Sequence, residues 1–177
     1  MWERVWVTVQ QEFSDIPDVE QATRVALRLL LAVLLGAAIG YERERRESAA
    51  GLRTHMLVAL GAALFVLVPD LAGLGEDAMS RVLQGVIAGV GFLGAGAVLK
   101  MNQHGEVRGL TTAAGIWATA AIGVTVGQGR EATALVATVM VVIILSLLYR
   151  LERFIAPADP CPPPHEGGAA STPHREG

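Results

Sequence analysis

Cysteine is almost absent from this chain: Cys161 is the only one in 177 residues. A single cysteine excludes an intrachain disulfide and a cysteine-rich metal site. Charged residues make up 18% of the chain, aromatic residues 5%, and the formal net charge is −3. Because nucleic-acid binding needs a concentrated basic face, and none is visible, the composition argues against a nucleic-acid partner.

Apolar residues dominate instead, at 52% of the sequence with a mean hydropathy of +0.45. A helix needs roughly 20 mostly apolar residues to cross a bilayer. Five stretches approach that length: 25–41, 55–74, 82–99, 109–127 and 132–149. The sequence therefore predicts an all-α membrane protein with five transmembrane helices in a domain over 19–153.

Two segments lie outside this predicted domain. In residues 1–18, Trp2, Val5, Trp6, Val9 and Phe13 share one helical face, which predicts an amphipathic helix in the membrane interface. Packing of that face against the bundle is the alternative. Residues 154–177 are rich in proline and glycine and are expected to form a disordered tail.

The distribution of basic residues predicts an orientation. With five crossings, one side carries eight Lys and Arg residues and the other five: Arg43, Arg45, Arg46, Arg53, Lys100, Arg108, Arg150 and Arg153 against Arg4, Arg24, Arg28, Arg81 and Arg130. Since cytoplasmic loops are richer in Lys and Arg, we expect an outer N-terminus and a cytoplasmic C-terminus.

The chain also contains an internal repeat. Gly36 and Gly51 are each followed 58 residues later by a matching glycine, Gly94 and Gly109. Each copy holds two predicted crossings, so helices 1–2 and 3–4 would form a parallel repeat about an axis along the membrane normal.

Glycine marks two of the predicted helices. These glycines are Gly36 and Gly40 in the first helix, and Gly85, Gly89, Gly91, Gly94 and Gly96 in the third. Small residues let membrane helices pack closely, so we expect tight packing within the monomer or across an oligomer. The alternative is an irregular helix that lines an ion path.

A Gly-Leu-X-Thr element stands at the start of the second and the fourth predicted helix. Gly51 precedes Thr54 and Gly109 precedes Thr111 and Thr112; these threonines could cap orphan backbone N–H groups. The alternative is that the positive helix ends hold an anion. Arg53 and His55 strengthen that alternative in the first copy.

Acidic residues mark both predicted membrane boundaries. Glu42 and Glu44 belong to a mixed-charge run in which Glu42 could pair with Arg45 or Arg46, or with Arg53. On the other side, Asp70, Glu76 and Asp77 share a loop that could bind hydrated Mg²⁺; a solvated loop is the alternative. No other cofactor is expected.

Catalytic signatures are missing. The chain has no HExxH, Walker or Gly-x-Ser-x-Gly motif, which disfavours an enzyme. No Asp, Glu or Lys lies at the middle of a predicted crossing, although ion pathways usually carry such residues.

Four ordered motifs resemble the MgtC/SapB family: IGYERE at 39–44, GLRTH at 51–55, GFLGAG at 91–96 and GLTTAA at 109–114 with Trp117. The resemblance implies a bacterial inner-membrane protein linked to magnesium homeostasis and described as a magnesium transporter. In members linked to intracellular survival it implies inhibition of the F-type ATP synthase. The motif positions that it marks are Glu42, Glu44, Arg53, Thr54, His55, Gly91, Gly94, Gly96, Gly109, Thr111, Thr112 and Trp117.

The resemblance covers the membrane module only. Virulence-linked members carry a folded cytoplasmic domain after the last helix, where this sequence has a proline-rich segment. We therefore expect a non-enzymatic, lipid-embedded homo-oligomer that regulates another membrane complex in magnesium homeostasis. A transporter of Mg²⁺ or another small ion is the alternative.

Overall fold

A computed structural model describes residues 1–12, 18–101 and 109–155 of the chain, with side chains over 1–10, 18–99 and 109–147. This part contains six α-helices and no strand: α1 (Trp2–Glu12), α2 (Val19–Glu44), α3 (Leu52–Leu71), α4 (Glu76–Met101), α5 (Leu110–Gly127) and α6 (Glu131–Ile155). The prediction of an all-α fold is confirmed.

Four helices are long and apolar enough to cross a membrane, namely α2, α3, α4 and α5. The fifth predicted crossing coincides with α6, a helix of 25 residues with a described apolar segment over Glu131–Leu147. The third crossing, α4, is one uninterrupted helix. The alternative prediction, that this helix is irregular, is therefore wrong.

Local sequence signals determine where the helices begin and end. Asp18 caps α2, because its carboxylate accepts a hydrogen bond of 2.6 Å from the Gln21 amide, as the Asp-x-x-Gln pattern predicts. Gly73 follows α3 with φ of 69° and Gly129 follows α5 with φ of 74°. Both glycines adopt the left-handed conformation that reverses the chain after a helix.

Helices α3 and α5 form the centre of the bundle. They pack against each other, α2 contacts both, and α6 packs on α2 and α5. Helix α4 packs mainly on α5 and only weakly on α3. The larger buried cluster lies among α2, α3, α5 and α6. A second cluster joins Val90 of α4 to residues of α3 and α5, while most of α4 stays at the edge.

The first helix stands apart from the bundle. Helix α1 contacts none of the other described helices, and Trp2 and Trp6 are exposed. The predicted interfacial position of this helix stays a prediction. Of the tail predicted as disordered over 154–177, residues 154 and 155 form the end of α6, and 156–177 lie outside the described residues.

Both copies of the sequence repeat make a corresponding helix contact. A Cβ added to Gly36 would lie 2.6 Å from the carbonyl oxygen of His55, and one added to Gly94 would lie 3.5 Å from the Cβ of Ala113. These two pairs are related by the 58-residue offset. The first contact is the closer one, so the helix pair α2–α3 is packed more tightly than α4–α5.

Candidate functional site

The end of the bundle where α2 ends and α5 begins holds a polar network, which we call the Arg43 end. Nη2 of Arg43 donates to Oγ of Ser48 at 2.9 Å and to Oγ1 of Thr112 at 3.1 Å. The two hydroxyls lie 3.1 Å apart. This network joins the loop after α2 to the first turn of α5, and it brings the predicted Thr112 together with two residues that the sequence did not single out.

His55 lies deeper at the same end and is completely buried. Its Nδ1 lies 2.8 Å from Oγ1 of Thr119, and that hydroxyl donates to the Gly115 carbonyl at 2.8 Å. Because the hydroxyl proton is already used, Nδ1 of a neutral His55 is the donor and Nε2 carries the lone pair. Among the described residues, Nε2 has no hydrogen-bond partner.

Thr119 is a further residue of the candidate site that the sequence did not single out. It lies seven residues after Thr112, a spacing that places both on one face of α5, and both are buried. The spacing of the two threonines can be read from the sequence. The contact between Thr119 and His55 cannot.

Glu42 and Glu44 have structural partners. Glu42 pairs with Arg46 at 2.7 Å, and the expected alternative of a pair with Arg53 is not what the structure shows. The carboxylate of Glu44 accepts from the Leu52 amide at 2.8 Å, so Glu44 caps α3. The N-cap residues of α3 and α5 are Gly51 and Gly109, which make no side-chain cap. The capping role expected of Thr54, Thr111 and Thr112 stays a prediction.

Loss of the Glu44 cap has a measurable cost. We expect Glu44→Ala to lower the free energy of unfolding by about 1 kcal/mol, the usual value of a helix N-cap. Glu47→Ala is the matched control, since Glu47 is exposed in the same loop. Thermal melts in detergent micelles measure both; equal melting temperatures for the two variants would contradict the capping role.

The remaining predicted residues at the Arg43 end are exposed. Arg53, Thr54 and Thr111 lie on the surface, as does Trp117 with 53% exposure. In the first turns of α3 and α5, His55 and Thr112 are therefore buried in the bundle, whereas the residues just before them in the sequence are exposed. An anion held by Arg53 between the helix ends stays a prediction.

The opposite end of the bundle is organised by Arg28, which the sequence marked only as one of the five basic residues of the outer side. Its Nη1 donates to the Gly127 carbonyl at 3.2 Å and lies 3.5 Å from Oδ2 of Asp70. Its Nε lies 3.5 Å from Oε1 of Glu131. One arginine of α2 thus connects α3, α5 and α6 at what we call the Arg28 end.

The predicted magnesium ligands lie at the Arg28 end. Asp70 faces Arg28, and Glu76 and Asp77 occupy the first turn of α4. The described residues contain no group of three His, Cys, Asp or Glu side chains that could hold a metal ion. Mg²⁺ binding in this loop stays a prediction.

The glycines divide into two groups. A Cβ added to Gly36 or Gly40 would lie less than 3 Å from a backbone atom of α3, as would one added to Gly123 or Gly127, which the sequence did not single out. By contrast, a Cβ at four glycines of α4 would meet no atom of the described residues within 4 Å: Gly85, Gly89, Gly91 and Gly96. Of the predicted packing glycines in α4, Gly94 alone would place a Cβ against another described helix.

Two of the open glycines, Gly85 and Gly89, border a groove of ≈ 660 Å³ between α3 and α4, which we call the α3–α4 groove. Its walls are apolar residues and glycines of both helices. Phe65 on α3 and Leu93 on α4 stand along it, 65% and 51% exposed. The groove is therefore an apolar helix face that the fold itself does not cover.

Comparison with known proteins identifies the family of this chain. The MgtC family model matches residues 29–154, which include α3, α4 and α5, the Arg43 end and most of α2. The chain belongs to the MgtC family. The match covers the region that the four sequence motifs predicted, so the family prediction is confirmed.

Individual members of the MgtC family resemble the chain closely. It is 47% identical over 140 residues to Protein SrpB of Synechococcus elongatus, covering 73% of this chain and 77% of SrpB. It is 42% identical over 132 residues to the Escherichia coli protein named "Putative magnesium transporter YhiD", covering 71% and 60%. It is 47% identical over 124 residues to Protein MgtC of Brucella abortus, covering 70% and 51%.

The chain thus matches about half of Brucella MgtC and three fifths of YhiD. No solved structure matches it. Membership in the MgtC family and the apolar helices make this chain a membrane protein.

Proposed function

We propose that this MgtC-family protein acts in magnesium homeostasis as a regulatory membrane protein, which binds other membrane complexes through helix contacts and catalyses no reaction. The observation that carries the proposal is the open glycine face of α4. Lipid tails are as apolar as helix side chains, so membrane helices associate through close backbone packing. Gly85, Gly89, Gly91 and Gly96 of α4 permit such packing, and no helix in the described part of the chain packs against them.

The bacterial inner membrane is the proposed location, with the C-terminus in the cytoplasm. The family resemblance makes the F-type ATP synthase the first partner to test, and the name of YhiD supports the link to magnesium. The same glycines would also serve a homo-oligomer. Both associations place α4 at an interface.

Magnesium transport is the second candidate. It is favoured by the name of YhiD and by the buried His55–Thr119 pair, because a polar side chain inside a membrane bundle often marks a transport path. Three grooves on the described residues have mainly apolar walls: one lies between α3 and α4, one between α4 and α5, and one on α6. Apolar grooves suit helices or lipid better than a hydrated cation.

Growth at limiting magnesium tests the regulatory proposal. In a strain without its own copy of the gene, we expect the wild-type chain and Ala88→Leu to restore growth and Gly89→Leu to fail. Leucine at Gly89 fills the helix contact surface, whereas Ala88 is exposed and lines none of the described grooves. Membrane levels of all three chains serve as the control. Restored growth with Gly89→Leu would contradict the proposal.

A further inference from the structure

We infer that the α3–α4 groove binds one transmembrane helix of a partner membrane protein, in the position that α6 occupies in the other half of the fold. The inference rests on the proposed function and names the surface and the chemistry of the partner helix. Its basis is the internal repeat, which gives every helix of one copy a counterpart in the other.

The repeat relates the place of α6 to the α3–α4 groove. Helix α6 packs on α2 and α5. Exchanging the two copies of the repeat takes α2 to α4 by adding 58 residues and takes α5 to α3 by subtracting 58. The counterpart of the α6 position therefore lies against α4 and α3. The groove lies between those two helices.

The residues of the groove match those that contact α6. On α2, Arg28 faces Glu131 of α6, and Leu31, Ala32 and Leu35 belong to the core cluster that holds Ala134 and Ala137. The offset places these four positions at groove residues of α4: Val86, Gly89, Val90 and Leu93. The wall of α4 is therefore the counterpart of the α6-binding face of α2.

One face of α3 shows the exposure expected of an uncovered counterpart. On α5, Ile122 and Val126 are buried in the core cluster that holds Ala134 of α6. Their counterparts on α3 are Leu64 and Val68, which are 39% and 60% exposed and lie three residues after the groove residues Gly61 and Phe65. The helix face that belongs to the α6 cluster in one copy is thus open in the other.

The comparison also defines the partner helix. A parallel repeat preserves direction, so the bound helix begins at the Arg28 end, as α6 does. Helix α6 presents the small residues Ala134 and Thr138 to the bundle, and both are buried. The α4 counterpart of Arg28 is Val86. An acidic residue in the first turn of the partner helix, at the position of Glu131 in α6, would therefore have no arginine to pair with. The structure therefore favours an apolar helix with small residues on one face and no acid where α6 has Glu131.

A synthetic peptide with the sequence 131–155 is the probe, added to the full-length protein in lipid nanodiscs and followed by fluorescence transfer. We expect the Glu131→Val peptide to bind roughly tenfold more tightly than the unmodified peptide, since an unpaired charge is costly at a membrane helix. The protein variant Val86→Arg should reverse this preference. Gly89→Leu should abolish binding, and Ala88→Leu should retain it.

Several outcomes would overturn the inference. They are no binding of either peptide, an unchanged preference in Val86→Arg, or equal binding to Gly89→Leu and wild type. A dimer of the wild-type protein that Gly89→Leu disrupts, without peptide binding, would assign the groove to a second copy. The growth assay is independent: loss of growth with Gly89→Leu alongside no peptide binding would reject this partner helix and retain the regulatory function.

Discussion

Gly123→Leu is expected to abolish the folded yield of this protein. A Cβ at position 123 would overlap the carbonyl oxygen of Ala59 and lie 3.0 Å from its carbonyl carbon. Backbone atoms of α3 cannot rotate away as a side chain can, so the two central helices would have to separate. The expected cost is about 3 kcal/mol or more, at the upper end for overpacked cores.

Gly85→Leu is the matched control, because no atom lies within 4 Å of a Cβ at that glycine. We expect its stability to stay within about 0.5 kcal/mol of the wild type, as for other surface changes. Size-exclusion chromatography of fluorescent fusions measures folded yield, and thermal melts measure stability. Equal loss in both variants would contradict the division of the glycines into packed and open groups.

Arg28→Ala is expected to lower the free energy of unfolding by about 2 kcal/mol. Most of this loss comes from the hydrogen bond to the Gly127 carbonyl, where a cation also interacts favourably with the C-terminal end of α5. The two ion pairs contribute less, because Asp70 and Glu131 are 52% and 46% exposed and water screens them.

Arg24→Ala provides the comparison for Arg28→Ala. Arg24 pairs with Glu20 at 2.8 Å on the same helix, but both side chains are largely exposed. The expected loss is about 0.3 kcal/mol, the usual value of an exposed i,i+4 pair. Thermal melts of the two variants in one detergent settle the order. A smaller loss for Arg28→Ala than for Arg24→Ala would contradict the role of Arg28 in joining the helices.

The sequence predicted the helices better than their ends. The crossing predicted over 25–41 became α2, which runs from Val19 to Glu44, and 82–99 became α4, which runs from Glu76 to Met101. Hydropathy marks only the apolar part of a helix, whereas backbone hydrogen bonding continues into the polar turns at both ends. The Asp18 cap is the exception, since its spacing to Gln21 was readable from the sequence.

The candidate site was only partly predictable. His55 was singled out, but its partner Thr119 lies 64 residues further along the chain, and no local pattern specifies a contact over that separation. Arg28 was counted only among the outer basic residues, because its partners belong to three other helices and no local pattern specifies those contacts. The GxxxG spacing predicts close packing but not its place: Gly36 and Gly40 are used inside the bundle, while Gly85 and Gly89 are open.

Magnesium flux in proteoliposomes tests the central claim most directly. Full-length protein is reconstituted into vesicles that contain a magnesium-sensitive dye, and external Mg²⁺ is added with a membrane potential of either sign. A regulatory protein that acts through helix contacts predicts the same dye response as protein-free vesicles. Mg²⁺ entry that depends on the protein and disappears with Glu42→Ala or Arg53→Ala would contradict the account and establish a transporter.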